Sequence, residues 1–248
     1  MTGLAIIGGS GLSRMENLDI ERREVVKTPY GTPSSALTFG RCSGKQTIFL
    51  ARHGDEHSIL PHRVNYCANL AALKQAGATH VVAVCAVGGI SGNMPPGRIV
   101  IPDQIIDYTW SRHHTFFEKD LAHVTHTDFT HPYCEDMRTA LAAGAASAGI
   151  DITRGGTYGA TQGPRLESAA EIDRMERDGC DMVGMSGMPE AALAKEIDLC
   201  YAACAVCANK AAGRSDGIIE ISKIEAMLEE SMVRVRQLLE HTLTSTPR

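Results

Sequence analysis

The sequence predicts an α/β fold in which a twisted, mixed and largely parallel β-sheet is flanked by helices. Short continuous apolar runs, which are typical of strands buried in a parallel sheet, alternate along the chain with longer segments of helical spacing. No polar or Pro/Ser-rich linker divides the 248 residues, and no repeat of solenoid length is present. We therefore expect residues 1–248 to form one domain.

The elements follow in chain order from these two patterns. Segments that are mostly continuous apolar runs predict strands over residues 4–7, 46–51, 80–87, 98–101, 153–158, 181–185 and 200–208. Helical spacing predicts helices over residues 64–75, 135–148, 167–178, 189–196 and 222–243. The last helix carries one apolar stripe, which we expect to pack against the sheet: Ile224, Leu228, Met232, Val235 and Leu239. In such a fold, ligands bind outside the carboxyl ends of the strands.

Charge and hydropathy exclude several classes of partner. The chain has 24 basic and 29 acidic residues, a formal charge of −5, and its charges are well mixed, so there is no basic stripe of the kind that nucleic-acid binding requires. The N-terminal residues lack the pattern of a secretory signal, and no apolar run reaches membrane-spanning length. We expect a cytoplasmic protein with neither a membrane nor a polynucleotide as partner.

Cysteines and histidines are the residues that could indicate a metal site. We expect the eight cysteines to be reduced core residues. Cys200, Cys204 and Cys207 resemble a zinc-ligand set, but Cys204 and Cys207 would point to opposite faces of a strand, so no metal is expected. A loop holds five histidines with no helical ligand spacing, which we expect to line a surface or a subunit contact: His113, His114, His123, His126 and His131.

The most informative motif is Arg52-His53-Gly54, which ends the apolar run 48–51. A buried strand that delivers a permanent cation and an imidazole to its C-terminal edge predicts an anion site, and phosphate is the expected anion. The alternative is that Arg52 only pairs with a carboxylate.

Three other strand ends carry glycine or hydroxyl groups, at Gly8-Gly9-Ser10-Gly11, Gly88-Gly89 and Ser186-Gly187. The first loop is not a dinucleotide fingerprint, because position 14 is Arg14, and it lacks the Gly-Lys-Ser/Thr of a P-loop. Because these ends recur in one alternating pattern, we expect them to share one site.

An ordered set of motifs along nearly the whole chain resembles the trimeric nucleoside phosphorylase family, which includes 5'-methylthioadenosine phosphorylase and purine nucleoside phosphorylase. The motifs are Gly8-Gly9-Ser10-Gly11-Leu12, Arg52-His53-Gly54, His57, Pro61, Val64-Asn65-Tyr66, Ala68-Asn69, Ala72-Leu73-Lys74, Gly163-Pro164-Arg165, Gly184-Met185-Ser186, Pro189-Glu190 and Asn209-Lys210. The resemblance implies the nucleoside phosphorylase fold, a homotrimer, and nucleoside and inorganic phosphate as small-molecule substrates. It implies no metal and no cofactor.

The resemblance also implies roles for individual residues. Phosphate-binding positions are matched by Ser10, Arg52, His53, Cys85, Ala86 and Ser186. Cys85 departs from the threonine or asparagine usual in that family, which removes one hydrogen bond to phosphate or sugar. Met185 matches the residue that underlies the ribose.

The base-binding positions favour a 6-oxopurine. Glu167 stands where methylthioadenosine phosphorylases carry serine, and an ionised carboxylate accepts the N1–H of a 6-oxopurine but repels adenine N1. Asn209 and Ala211, on either side of Lys210, stand where adenine-specific relatives place aspartates. The resemblance assigns catalysis to Asn209, His53 and Glu167. The alternative for Glu167 is that it only supplies acidic charge at a helix start.

The positions for the 5' end of the nucleoside are similar to those that hold a methylthio group. They are Ile221 and Ile224, where purine nucleoside phosphorylases use a histidine, and His126 resembles a histidine supplied by a neighbouring subunit. The expected activity is phosphorolysis of S-methyl-5'-thioinosine to hypoxanthine and 5-methylthioribose 1-phosphate. The alternatives are a phosphorylase for 5'-methylthioadenosine or for inosine and guanosine, and a nucleotide-binding module without turnover.

Overall fold

The computed structural model describes residues 3–12, 15–118 and 124–245. The strands are β1 (Leu4–Gly8), β2 (Asp19–Glu24), β3 (Leu37–Cys42), β4 (Lys45–Ala51), β5 (His80–Gly89), β6 (Ile99–Ile101), β7 (Gln104–Asp107), β8 (Ile152–Arg154), β9 (Thr157–Ala160), β10 (Met182–Gly184) and β11 (Cys200–Lys210). The helices are α1 (Tyr66–Gln75), α2 (Glu135–Ser147), α3 (Ala169–Arg177), α4 (Gly187–Glu196) and α5 (Ile221–Ser245). A 3₁₀ turn, Pro61–Arg63, precedes α1.

All eleven of these strands belong to one sheet. The sheet is mixed, as the sequence predicted. Its main path runs in the order β2-β3-β4-β1-β5-β10-β9-β7, and a branch continues from β5 through β11 and β6 to β8. The central strand β5 pairs with β1 and β11 in parallel and with β10 in antiparallel orientation. The carboxyl ends of β1, β4, β5 and β11 therefore lie side by side at one edge.

The helices cover both faces of this sheet. Leu70 and Leu73 of α1 and Leu193 of α4 belong to the apolar cluster on one face. On the other face, α2 packs against α5, and the predicted apolar stripe of α5 lies in that second cluster, with Ile224 at its partly buried margin. Burial of these stripes, rather than helix propensity, is what holds such helices in place.

The structure corrects several predicted boundaries. The predicted strand 153–158 is two strands, β8 and β9, because Gly155 and Gly156 adopt φ values of +107° and +110° between them. Strands β2, β3 and β7 were not predicted. Every residue of β2 is exposed, so it lacks the apolar pattern on which strand prediction relies.

The expectation that all eight cysteines are reduced is wrong for two of them. Cys134 and Cys200 form a disulfide, while the other six cysteines are buried free thiols. The pair is 66 residues apart in sequence, and the fold brings it together where Cys134 N donates to Tyr201 O at 2.8 Å. In the described part of the chain, no group of three or more His, Cys, Asp or Glu side chains could hold a metal ion. No helix in that part is long and apolar enough to cross a membrane.

Candidate active site

The four strand ends singled out in the sequence line one cavity of about 260 Å³. Ser10 follows β1, Arg52 and His53 follow β4, and Ser186 follows β10. The wall is completed by residues 85–88 of β5, by Asn209 at the end of β11, and by the segments that precede α3 and α5. The cavity thus has a polar end at β1 and β4 and a more apolar end at α5.

Arg52 is held by a buried carboxylate. Its Nε and one terminal nitrogen donate to the two oxygens of Glu190 at 2.7 and 2.8 Å, and its other terminal nitrogen donates to Val84 O at 2.9 Å. Both side chains are almost completely buried, and Tyr201 Oη donates to Glu190 at 2.8 Å. Burial alone would lower the pKa of Arg52, but the Glu190 carboxylate outweighs it and raises that pKa.

This geometry agrees with both interpretations of Arg52, as an anion-binding residue and as the partner of a carboxylate. Three of the five N–H groups of a guanidinium are used within the protein, which leaves two N–H groups on a side chain that lines the cavity. Glu190 fixes the plane of the guanidinium, and sequence reasoning assigned it no role. The Pro189-Glu190 motif was the sequence feature that could have drawn attention to Glu190.

Gly9 lets the chain pass close to this guanidinium. A Cβ atom at Gly9 would lie 2.5 Å from Val84 O and 2.7 Å from the terminal nitrogen of Arg52 that donates to it. Any side chain at this position would therefore displace the cation, which explains the glycine in the loop before Ser10.

His53 is a neutral ring in this site. Burial and then the nearby Arg52 charge lower the pKa of His53 from 6.5 to about 4. Its Nδ1 lies 2.8 Å from Ile59 O, and because a carbonyl oxygen only accepts, Nδ1 carries the hydrogen. The neutral ring therefore presents Nε2 as an acceptor.

His57 is a cavity residue to which the sequence assigned no role. Its ring centroid lies 4.8 Å from that of His53, and its Nε2 lies 3.3 Å from Ser10 Oγ. Burial and the Arg52 charge also lower the pKa of His57. The polar end thus combines one cation and hydroxyl groups with a neutral imidazole acceptor at His53, an arrangement suited to an oxyanion that carries one hydrogen, such as hydrogen phosphate.

Cys85 and Ala86 line the cavity from β5. Burial raises the pKa of the Cys85 thiol to about 12, so the thiol is neutral and offers only a weak donor. The Cys85 side chain therefore supplies no strong hydrogen bond to an anion, whereas the buried Ser186, which precedes α4, lines the same cavity with a hydroxyl group.

Met185 lines the cavity, and Gly163 makes space for its side chain. A Cβ atom at Gly163 would lie 2.4 Å from Met185 Sδ, and Gly163 has a φ of +60°. The Gly163-Pro164-Arg165 motif therefore acts by positioning a thioether against the cavity rather than by direct contact.

Glu167 lines the cavity just before α3. The helix has its own N-cap, because Ser168 and Glu171 form a capping box, so Glu167 lies just before the helix to which the alternative interpretation has it supply acidic charge. Thr161 Oγ1 donates to Glu167 Oε1 at 2.6 Å.

Asn209 and Ala211 also line the cavity, on either side of Lys210. Asn209 Nδ2 donates to Lys210 O at 2.7 Å, while the Lys210 side chain is exposed and outside the lining. The register of β11 shifts between Cys207 and Asn209, and this irregularity brings the Asn209 side chain to the cavity. The structure therefore places the backbone, not the side chain, of Lys210 next to the site.

The apolar end differs in one residue from the predicted pair. Ile224 lines the cavity together with Ile219, whereas Ile221 lies outside the lining and is 57% exposed. Ile221 is the first residue of α5, Ile224 lies one turn further along the helix, and Ile219 precedes it. His126 is also exposed and outside the lining of its own chain, and His123 lies outside the described residues.

Comparison with known proteins places this geometry in a family. Residues 4–244 match the model of the phosphorylase superfamily. A protein of Pseudomonas syringae pv. tomato named probable S-methyl-5'-thioinosine phosphorylase is 50% identical over 99% of this chain and all of that protein. The 6-oxopurine nucleoside phosphorylase of Pyrococcus furiosus is 42% identical over 96% of this chain and 91% of that protein.

A solved structure has the same fold along nearly the whole chain. Methylthioadenosine phosphorylase from Schistosoma mansoni in complex with adenine superposes with a TM-score of 0.94 at 30% identity, over 98% of this chain and 91% of that chain. With the family model matched from β1 to α5 and this structural agreement, the chain belongs to the phosphorylase superfamily.

Proposed function

We propose that this chain is a nucleoside phosphorylase that converts S-methyl-5'-thioinosine and phosphate to hypoxanthine and 5-methylthioribose 1-phosphate. One observation carries the proposal. A single cavity joins an oxyanion-binding end at Arg52, a carboxylate acceptor at Glu167 and an apolar wall at Ile219 and Ile224. These three features match phosphate, the N1–H of a 6-oxopurine and a 5'-methylthio group.

The proposed reaction is a displacement at C1' of the nucleoside. Arg52, Ser10 and Ser186 donate to the phosphate oxygens and His53 Nε2 accepts from the O–H of hydrogen phosphate, so that one phosphate oxygen bonds to C1' as the C1'–N9 bond breaks. The electrons of that bond leave with the purine, which gains the proton that hydrogen phosphate loses. Asn209 stabilises the charge that develops on the base.

The remaining residues orient the nucleoside. Met185 supports the sugar from below, and Glu167 accepts from N1–H to fix the ring in its plane. Phosphate is a co-substrate, and we propose that no metal or organic cofactor takes part. The relatives named for methylthioinosine, at 43% to 53% identity, support the substrate assignment.

Two other classes of nucleoside are the alternative substrates. 5'-Methylthioadenosine is favoured by the Schistosoma mansoni structure, and inosine or guanosine by the Pyrococcus furiosus relative. Glu167 disfavours the first, because adenine N1 is an acceptor, and the apolar wall disfavours the second, because a buried 5'-hydroxyl would lose its hydrogen bonds to water.

We further propose a homotrimer in which His126 reaches the cavity of a neighbouring subunit. Exposed apolar residues at the rim, Leu60 at 46% and Leu166 at 39%, support a second copy covering it. We also place the protein in the cytoplasm. Six free thiols support that location, and the Cys134–Cys200 disulfide is the opposing observation.

The test compares specificity constants for S-methyl-5'-thioinosine, 5'-methylthioadenosine and inosine, with phosphate present and absent. We expect the methylthioinosine constant to be the highest and turnover to require phosphate. A higher constant for either of the other nucleosides would reassign the substrate. Tight binding of nucleoside without base release would instead indicate a binding module.

A further inference from the structure

Thr161 donates a hydrogen bond to Glu167, the cavity carboxylate to which the proposed function assigns the contact with the base. It follows β9 directly, and its hydroxyl oxygen lies 2.6 Å from Glu167 Oε1 and 3.2 Å from Gly184 O. No role for this residue follows from its own motif, since the conspicuous part of that segment is Gly163-Pro164-Arg165.

The main chain fixes the position of Thr161 from both sides. Its N–H donates to Gly184 O at 2.8 Å, and its carbonyl oxygen accepts from Arg112 at 3.0 Å. The side chain is 9% exposed and β-branched, so its rotamer is restricted. The hydroxyl therefore has a fixed position, and its hydrogen bond can orient a more mobile side chain.

Glu167 has a side chain that requires such a fixed donor to hold it in one orientation. Its side chain has three rotatable bonds, it precedes the helix rather than lying in it, and it is only partly buried. Within the described part of the chain, the protein hydrogen bond to its carboxylate is the one from Thr161 to Oε1. The second oxygen, Oε2, is therefore the one left to accept from a bound base in the cavity that Glu167 lines.

We infer that Thr161 is a positioning residue that sets purine specificity through Glu167. A hydroxyl has a single hydrogen, and its donation to Oε1 fixes the carboxylate as an acceptor at the base. A 6-oxopurine carries N1–H and completes this arrangement, whereas adenine N1 has only a lone pair to present. This inference rests on the proposed function and deepens it.

The experiment is a pair of substitutions that separate the hydroxyl from the volume of the side chain. Thr161→Val keeps the shape and removes the hydroxyl, while Thr161→Ser keeps the hydroxyl and removes a methyl group. For each variant we measure kcat and KM for S-methyl-5'-thioinosine and 5'-methylthioadenosine, the KM for phosphate, and the melting temperature.

The Val variant is expected to lose about tenfold of its preference for the 6-oxopurine substrate, mainly through that substrate's KM, with the phosphate KM unchanged. The Ser variant is expected to keep the parent preference within about twofold. A third comparison uses Glu167→Gln alone and with Thr161→Val. Because Thr161 acts through Glu167, the double variant should have the same preference as Glu167→Gln.

Three results would overturn the inference: an unchanged preference in the Val variant, an equal loss in the Ser and Val variants, or additive losses in the double variant. If the Val variant does not fold, equal preference in the parent and the Ser variant still supports the hydroxyl, and lost preference in a stable Ser variant overturns it. Failure of the proposed function is separately visible, because the parent protein would then release no base in the presence of phosphate.

Discussion

Replacing Glu190 by glutamine tests whether the Arg52–Glu190 pair is a mutually dependent unit. Arg52 is 1% exposed and Glu190 is fully buried, with two nitrogen–oxygen contacts of 2.7 and 2.8 Å. The glutamine side chain would keep one acceptor oxygen and turn an NH₂ group towards a guanidinium N–H, so a buried cation would lose its counter-charge. Breaking a pair of this kind costs about 3 to 5 kcal/mol of the free energy of unfolding.

Two matched variants provide changes in the free energy of unfolding with which this loss can be compared. Tyr201→Phe removes only the 2.8 Å hydrogen bond from Tyr201 to Glu190 and should cost about 1.5 to 3 kcal/mol. The double variant Arg52→Met with Glu190→Leu removes both charges, and it should recover most of the stability lost by Glu190→Gln while losing phosphate-dependent turnover.

The assay is urea unfolding followed by far-UV circular dichroism at one fixed protein concentration, because assembly changes apparent stability. A Glu190→Gln variant that loses less stability than Tyr201→Phe would show that Arg52 does not depend on the Glu190 charge. So would a double variant less stable than Glu190→Gln, because removal of the orphaned charge would then bring no benefit.

Three further predictions concern the polar end of the cavity, the residues that face the base and the apolar end. The folded protein holds His53 neutral down to a pKa of about 4 while the unfolded chain protonates near 6.5, so stability should fall by about 2 kcal/mol more in the parent than in His53→Asn between pH 7 and pH 5, measured by urea unfolding. Glu167→Ser with Asn209→Asp should shift the ratio of specificity constants towards 5'-methylthioadenosine, and an unaltered ratio would contradict the base-site assignment. Ile224→Ala should lower the methylthioinosine-to-inosine ratio of specificity constants by about tenfold, whereas Ile221→Ala, at an exposed position, should leave it unchanged; equal effects would contradict the proposed apolar wall.

The buried parallel strands could be read from the sequence because their signal is local. Residues 80–87 and 200–208 were predicted as strands and are part of β5 and β11. Their continuous apolar character follows from burial on both faces. Strand β2 carries no such signal, since it is a charged strand at the edge of the sheet, where it pairs with β3.

Much of the candidate site was also predictable, because ends of neighbouring strands converge. Ser10, Arg52, His53 and Ser186 were predicted to share a site, and they line one cavity. What could not be predicted were contacts between distant segments. Glu190 is 138 residues from Arg52, and its pairing depends on where α4 packs.

The disulfide and the apolar wall show the same limit. Cys200 was considered with Cys204 and Cys207 because they are close in sequence, yet its partner is Cys134. Ile219 was missed, and Ile221 was preferred, because the start of α5 decides which of them faces the cavity.

The proposed phosphorolysis is tested most directly by following phosphate during turnover. Purified protein is incubated with S-methyl-5'-thioinosine and inorganic phosphate, and the mixture is followed by ³¹P NMR together with hypoxanthine release. The proposed phosphorolysis predicts a new sugar 1-phosphate signal that grows in a one-to-one ratio with hypoxanthine, and no release of base without phosphate. Hypoxanthine release at the same rate without phosphate, or with no new phosphorus signal, would contradict it.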